Sequence, residues 1–396
     1  METSRYFRAL QCMDCERTFD PGTVTHRCPE CSGILDPEYD YEGMTLSRDD
    51  MTNSRTKSMW TYEPLLPFQR DIAISLSEGQ TPLIPCPGLA EEYGVGEIYI
   101  KDEGRNPTGT FKDRGHTVAV TAAKQHGATD IALNTAGNAG QAAAAYAARA
   151  NVQAHVFVPS RAGFTQKAMT NVHGADMTVV EGTIDDAGAA YEDAMEKNDW
   201  YSTKTFVTPY RHDGKKTMIY EILAQLDWEI PDGIIYPTGG GVGIVGMHKG
   251  AKELQKLGLI DSLPRLFAAQ STGCAPIVEA YTSGQSSHRK WENPDTICGG
   301  IEVPDPGASK HVLNALTESG GGATATSDDQ ILESGLEIAQ LEGIEVGATS
   351  AAAASGAKQL IHDGKFDEND TIVILSTGCG NKDADILRSH LMSKGV

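Results

Sequence analysis

Between residues 97 and 378 short apolar runs alternate with helix-like stretches, and this alternation constrains the fold more than any other feature. EIYIKDE (97–103), DIALNTA (130–136), QAHVFVP (153–159), DMTVVEG (176–182), GIIYPTG (233–239), PRLFAAQS (264–271) and DTIVILSTG (370–378) read as strands. FKDRGHTVAVTAAKQHG, AGQAAAAYAARAN, TQKAMTNVHG, TIDDAGAAYEDAMEKND and MHKGAKELQKLG read as the helices between them. Strands separated by helices pair in parallel, so the expectation is an α/β chain whose sheets carry helices on both faces. In such sheets ligands sit beyond the carboxyl ends of the strands. Four loops at those ends are unusual: GRNPTGTFKD (104–113), NTAGNAG (134–140), PTGGGVG (237–243) and STGCGNK (376–382).

A chain of 396 residues exceeds one ordinary core, which implies two or more domains. With 40% hydrophobic and 22% charged residues it reads as soluble and globular. Its Ala-rich run AAAAYAA (142–148) is too short to span a bilayer. The start, METSRYFRALQC, lacks an apolar signal core, so a cytoplasmic location is expected. A net charge of −21 argues against nucleic acid and anionic membranes as partners. The acid is dispersed, which suits either a well-solvated surface or one adapted to high salt.

Residues 12–31, CMDCERTFDPGTVTHRCPEC, contain two C-x2-C pairs separated by twelve residues. Four thiolates at that spacing can close a tetrahedral site, so Cys12, Cys15, Cys28 and Cys31 are expected to hold a structural Zn2+ in a ribbon over residues 1–40. Pro21-Gly22 would supply the turn between two short strands, with His26 available but not needed. Disulfides or redox pairs are the alternative. The remaining cysteines, Cys86, Cys274, Cys298 and Cys379, are scattered and read as reduced thiols. Residues 41–85 look like an irregular arm with one helix over QRDIAISLSEG (69–79).

YPTGGGVGIVG (236–246) holds G-x-G-x-x-G between a strand and a helix, where backbone N–H groups and a helix N-terminus can approach a phosphate. A dinucleotide site would also need an acid about 20 residues on, at the end of a second strand. The chain offers KELQKLGLIDSL there, a helix running into a loop, so a monophosphate cofactor fits better. Lys112, in GTFKDRG, is either an ordinary first-turn residue or a nucleophilic amine.

Taken in order, NPTGTFKDRG, NTAGNAGQAAAAYAARA, PTGGGVG and STGCGNKD resemble the pyridoxal-phosphate enzymes of fold type II, and most closely their threonine synthase branch. The resemblance covers roughly residues 60–396, and an N-terminal ribbon occurs in some archaeal members. It implies two open, mostly parallel sheets: a large cofactor-binding domain over 86–130 and 216–396, and a small domain over 131–215. It also implies roles. Lys112 would carry pyridoxal 5'-phosphate as a Schiff base and then shuttle protons. Asn138 would bond the cofactor's ring hydroxyl. Gly239, Gly240, Gly241, Val242 and Gly243 would wrap its phosphate. Thr377 would face the pyridine nitrogen, where a hydroxyl rather than a carboxylate leaves the ring nearly neutral and favours elimination and replacement. Thr377 could equally cap a following helix.

The implied reaction converts O-phospho-L-homoserine and water to threonine and phosphate, and a second anion site is needed for the substrate. Branch members use a segment like NS-x-NP-x-R-x-x-GQKT for it, and here the stretch is TFVTPYRHDGKKT (205–217). Arg211 matches, either as a phosphate ligand or as a surface ion-pair partner. Thr205 and Phe206 stand where Asn and Ser are usual. Lys215 and Lys216 could replace the lost donors or be surface charge. Thr135 and Ala136, in the NTAGNAG loop, would bind the substrate carboxylate. Another reading on the same scaffold is a threonine or serine dehydratase or a β-replacement enzyme. By the same analogy, a homodimer is expected.

Overall fold

The computed structural model describes residues 1–24, 26–53 and 55–386. Its largest sheet has six strands in the order Gly322–Thr326, Leu266–Ser271, Gly233–Pro237, Thr371–Ser376, Glu97–Asp102 and Leu83–Pro85. All neighbours pair in parallel except the last, which is antiparallel. That strand carries Pro85 at the open edge, where no ladder donor is needed. The two central strands, Gly233–Pro237 and Thr371–Ser376, are almost wholly apolar because both faces are covered. Every residue of Gly233–Pro237 is buried, with Ile234 opposite Leu266 on one side and Val373 on the other.

A second sheet has four parallel strands, in the order Asp176–Val180, Gln153–Pro159, Asp130–Asn134 and Tyr201–Ser202. Helices connect and cover both sheets. Asn138–Ala150 and Ala348–His362 are dominated by buried alanines, whose small side chains let these helices lie close against neighbouring elements. Helices Lys112–Gln125 and Tyr210–Lys215 also meet at close range. A Cβ on Gly214 would lie 2.0 Å from the Arg114 carbonyl oxygen, so only glycine fits that crossing.

The N-terminal segment forms a three-stranded antiparallel sheet of Phe7–Cys12, Thr18–Phe19 and Leu35–Tyr39. The hairpin between the first two strands turns at residues 13–17, with Glu16 at φ +61°; Pro21-Gly22 forms a separate turn after the second strand, closed by the Thr23 N–H donating to Asp20 O at 3.0 Å. This sheet is not a separate lobe. Phe7 and Tyr39 join the main core, with Phe7 5.8 Å from the Tyr39 ring and 6.5 Å from that of Tyr210. Asp36 meets His212 at 2.8 Å and Lys249 at 2.6 Å, and the Tyr39 hydroxyl donates to Asp213 at 2.6 Å. On the side of the four-stranded sheet, His26 Nε2 accepts the Ser202 N–H at 3.1 Å.

The helix expected over 69–79 does not form; only a single 3-10 turn, Arg70–Ile72, is present. Side chains capture the backbone instead: the Leu76 N–H donates to Glu78, and that of Ile74 to Thr121. Ser77, Gly79 and Gln80 then take positive φ. Among the described residues no helix is long and apolar enough to cross a membrane.

Candidate functional site

Between the two larger sheets lies a cleft of about 880 Å3, and the unusual loops converge on it. Lys112 enters from the loop after Glu97–Asp102. That loop is pinned to the one after Thr371–Ser376: the Phe111 N–H donates to Thr377 O at 3.1 Å and the Cys379 N–H to Gly109 O at 3.0 Å. Asp113 closes the turn by accepting the Thr108 N–H and hydroxyl, both at 2.9 Å. Arg114, fully buried, donates to Glu103 and Glu221 at 2.6 Å each, so the first turn of the helix is fixed from below.

The Lys112 amine, on the cleft wall, lies 3.8 Å from the centre of the Phe111 ring. Burial, with Arg211 and Lys382 adding repulsion, brings its pKa down to about 7. A large fraction is therefore neutral at neutral pH, as a nucleophilic or basic amine must be.

The glycine loop forms one wall. Gly241 sits at φ +78°, a left-handed conformation that would strain another residue, and a Cβ there would strike Val312. Gly240 has nothing within 4 Å of its Cβ position, so its backbone faces open space. Helix Val242–Lys256 begins here and points the positive end of its dipole at that space. Such a cradle fits a phosphate. Gly239, Gly240, Gly241 and Val242 line the cleft; Gly243 does not. Gly243 packs on the Tyr236 ring, 2.3 Å from a Cβ placed there, and its N–H faces the Tyr236 hydroxyl. It serves the helix–strand contact and stands outside the cradle.

Thr135, Ala136 and Asn138 line the opposite wall, with Thr377 at the base. The Thr135 hydroxyl accepts the Gly137 N–H at 3.0 Å, which leaves its own hydrogen free to donate. Thr377 caps no helix: the short 3-10 turn Gly380–Asp383 begins after Cys379.

Arg211 is 2% exposed and lines the cleft. It is no surface ion-pair partner. Its Nη1 donates to Thr203 O at 3.1 Å, its Nε has no partner, and among the described residues no carboxylate pairs with it. Burial pulls its pKa down to about 10. An uncompensated guanidinium facing a cavity is a site for an anion. Phe206, at φ +60° and stacked on His212, lines the same region together with Thr205.

Lys215 and Lys216 are not surface charge either, for both are fully buried. Lys216 is structural, paired with Asp213 at 2.7 Å and Glu253 at 2.9 Å. Lys215 has no carboxylate partner among the described residues and lies 5.2 Å from the Phe111 ring centre; burial drives its pKa far down. Lys216 is absent from the cleft wall, as is Lys215.

Lys382 and Arg27 are among the cleft residues that the sequence motifs did not point to. Lys382, in the STGCGNKD stretch, donates to Asn138 Oδ1 at 3.1 Å and Gln141 Oε1 at 2.8 Å. Arg27, from the four-cysteine segment, also lines the cleft, and nothing local in the sequence announces that.

The four cysteines are free thiols whose sulfurs all lie within 4.8 Å of one another. Cys12 and Cys31 approach to 3.5 Å, Cys15 and Cys28 to 3.7 Å. A tetrahedral zinc with Zn–S bonds near 2.3 Å would set these separations at about 3.8 Å. The donor set and spacing fit that ion, and all four cysteines are free thiols.

Comparisons with known proteins agree with this geometry. Residues 74–378 match the family described as pyridoxal-phosphate dependent enzyme. A threonine synthase of Methanosarcina acetivorans is 37% identical over 372 residues, covering 93% of this chain and 91% of that protein. One of Methanocaldococcus jannaschii is 36% identical over 378 residues, covering 95% and 93%. Among solved structures, a processed threonine deaminase of Solanum lycopersicum superposes with a TM-score of 0.68 at 21% identity, covering 83% of this chain and 91% of that one. A maize serine racemase superposes at 0.67 with 20% identity, covering 80% and 94%. At that identity the likeness is one of fold.

Proposed function

The chain belongs to the pyridoxal-phosphate-dependent enzyme family, in its threonine synthase branch, and on that premise we propose that it converts O-phospho-L-homoserine and water to L-threonine and inorganic phosphate. One observation carries the substrate assignment: the cleft that holds the Lys112 amine also holds a buried arginine that no carboxylate pairs with among the described residues. A phosphate monoester supplies the missing negative charge.

Pyridoxal phosphate, once bound, supplies an electron sink for the carbanions that the substrate forms at Cα and Cβ. Lys112 would hold it through its side-chain amine, and that amine, on the cleft wall, would take up protons from the substrate's Cα and Cβ and give them back. Gly239, Gly240, Gly241 and Val242 would hold the cofactor phosphate, and Asn138 would donate to its ring oxygen. The Thr377 hydroxyl, in place of a carboxylate, would leave the pyridine nitrogen uncharged. Thr135 and the backbone at Ala136 bind the substrate carboxylate, and Arg211 binds the phosphate that leaves from Cγ. The four thiolates of Cys12, Cys15, Cys28 and Cys31 hold a structural Zn2+ in a ribbon fold.

The deciding experiment supplies the purified protein with O-phosphohomoserine and follows threonine and phosphate together. Equimolar release supports the proposal. Phe206, an apolar ring among the residues lining the anion region, favours a second reading, a dehydratase acting on a smaller unphosphorylated amino acid. That reading prevails if no phosphate appears and threonine is turned into 2-oxobutanoate.

A further inference from the structure

Lys382 stands on the loop that follows Thr371–Ser376 of the six-stranded sheet, and its side chain reaches across the cleft to helix Asn138–Ala150, which packs on the four-stranded sheet. No carboxylate pairs with it directly among the described residues. Both of its hydrogen bonds go to neutral amides, at 3.1 Å to Asn138 Oδ1 and 2.8 Å to Gln141 Oε1.

An ammonium group can only donate, so each amide must turn its oxygen toward Lys382. The orientation of Asn138, otherwise a free choice between two flips, is thereby set. Its NH2 faces away from Lys382 and has no protein partner among the described residues. An amide fixed in this sense is a donor, and the group it would meet must be an acceptor. The ring oxygen of pyridoxal phosphate is one.

We propose that Lys382 is a positioning residue of the cofactor site, which locks the Asn138 amide as a donor to the cofactor's ring oxygen and bridges the two sides of the cleft. The proposal rests on the cofactor assignment above, and not on the identity of the amino-acid substrate. The charged and titratable groups around Lys382 are Lys112, Asp113, His173, Cys379 and Asp383. It adds to the repulsion that keeps the Lys112 amine neutral.

The test titrates the full-length apo protein with pyridoxal phosphate alone, following the visible absorption band at a pH well above the Lys112 pKa of about 7, where that amine is neutral with or without Lys382 beside it. No amino acid is present, so the outcome does not depend on whether the protein makes threonine. Lys382→Met should weaken cofactor binding about tenfold or more, the usual effect of losing one charge-assisted hydrogen bond. Asn138→Ala should weaken it similarly, and the double variant should be no worse than Asn138→Ala, because the lysine acts through the asparagine. Lys382→Arg keeps a cationic donor and should recover most of the affinity. It also carries the test if the methionine variant does not fold, which apo melting would reveal. Binding by Lys382→Met as tight as that of the unchanged chain would overturn the proposal. So would losses that multiply in the double variant, or an arginine variant no better than the methionine one.

Discussion

Replacing Arg211 with methionine should make the protein more stable and less active at once. The guanidinium is 2% exposed and has a single hydrogen bond, to a neutral carbonyl. Its pKa falls from the ordinary 12.5 to about 10, and that drop corresponds to roughly 3 kcal/mol of unfavourable burial in the folded apo protein. The sign follows from the direction. A base with a depressed folded pKa is charged in both states below about pH 10, and there folding bears the whole desolvation cost. Methionine fills similar space without charge, so the apo variant should gain about 1–3 kcal/mol, a rise of a few degrees in Tm. On the proposed function the same arginine would meet the substrate phosphate through charge-assisted hydrogen bonds, each worth about 1.5–3 kcal/mol. Losing two of them would cut kcat/KM for O-phosphohomoserine by about a hundredfold or more. The assay has two arms: melting of the apo proteins with and without inorganic phosphate, and steady-state kinetics. Phosphate should raise the Tm of the unchanged chain by more than that of Arg211→Met, which keeps only the glycine cradle as a phosphate site. A variant that melts lower would make Arg211 a structural residue and refute its role as an anion site. Unchanged kcat/KM would also defeat it.

Other consequences can be checked separately. In the apo protein the visible band should form faster as pH rises through about 7, where Lys112 loses its proton, and Lys112→Ala should form none. Burial raises the Glu221 carboxyl, but Arg114 and Lys101 outweigh it and hold the pKa at about 2. Its contribution to stability should thus be complete above about pH 4.5 and fade as pH falls toward 2. Glu221→Gln should cost about 3–5 kcal/mol at neutral pH in denaturant unfolding and flatten that acid limb. Chelation, or Cys31→Ser, should release one metal ion per chain and open residues 7–39 to hydrogen exchange ahead of the rest; a chain that purifies without metal contradicts the zinc assignment. With a net charge of −21, the melting temperature should climb from low to molar salt, and a flat response removes the high-salt reading.

The parallel strands were legible because burial on both faces makes each an apolar run, as in Gly233–Pro237 and Thr371–Ser376. Gly322–Thr326 is a strand of glycine, alanine and threonine, and Tyr201–Ser202 has two residues, so neither leaves such a run. Leu35–Tyr39 contains two acids and a proline, because its partners are Lys249 and the helix at Tyr210–Lys215 and not an apolar layer. The site was readable where a residue type is itself the chemistry: a lysine after a glycine turn, an asparagine opening a helix, small residues at a strand end. It was unreadable where meaning comes from distant partners. Lys215 and Lys216 look like solvated charge until Glu253 and the buried helix crossing are known. Gly243 satisfies the spacing of a phosphate loop and yet serves the Tyr236 ring.

The contacts of the four-cysteine sheet bear on how the chain can be cut. Removal of residues 1–45 would bare Tyr210, which packs on both Phe7 and Phe68, and would strip Lys249 of Asp36. Tyr210 is the residue immediately before Arg211, and Lys249 would be left facing Asp213 alone in a gap newly open to water. A shortened protein would therefore be disturbed first beside Arg211. The first forty residues look like a detachable module in the sequence, but in the folded chain they are part of the wall behind the cleft.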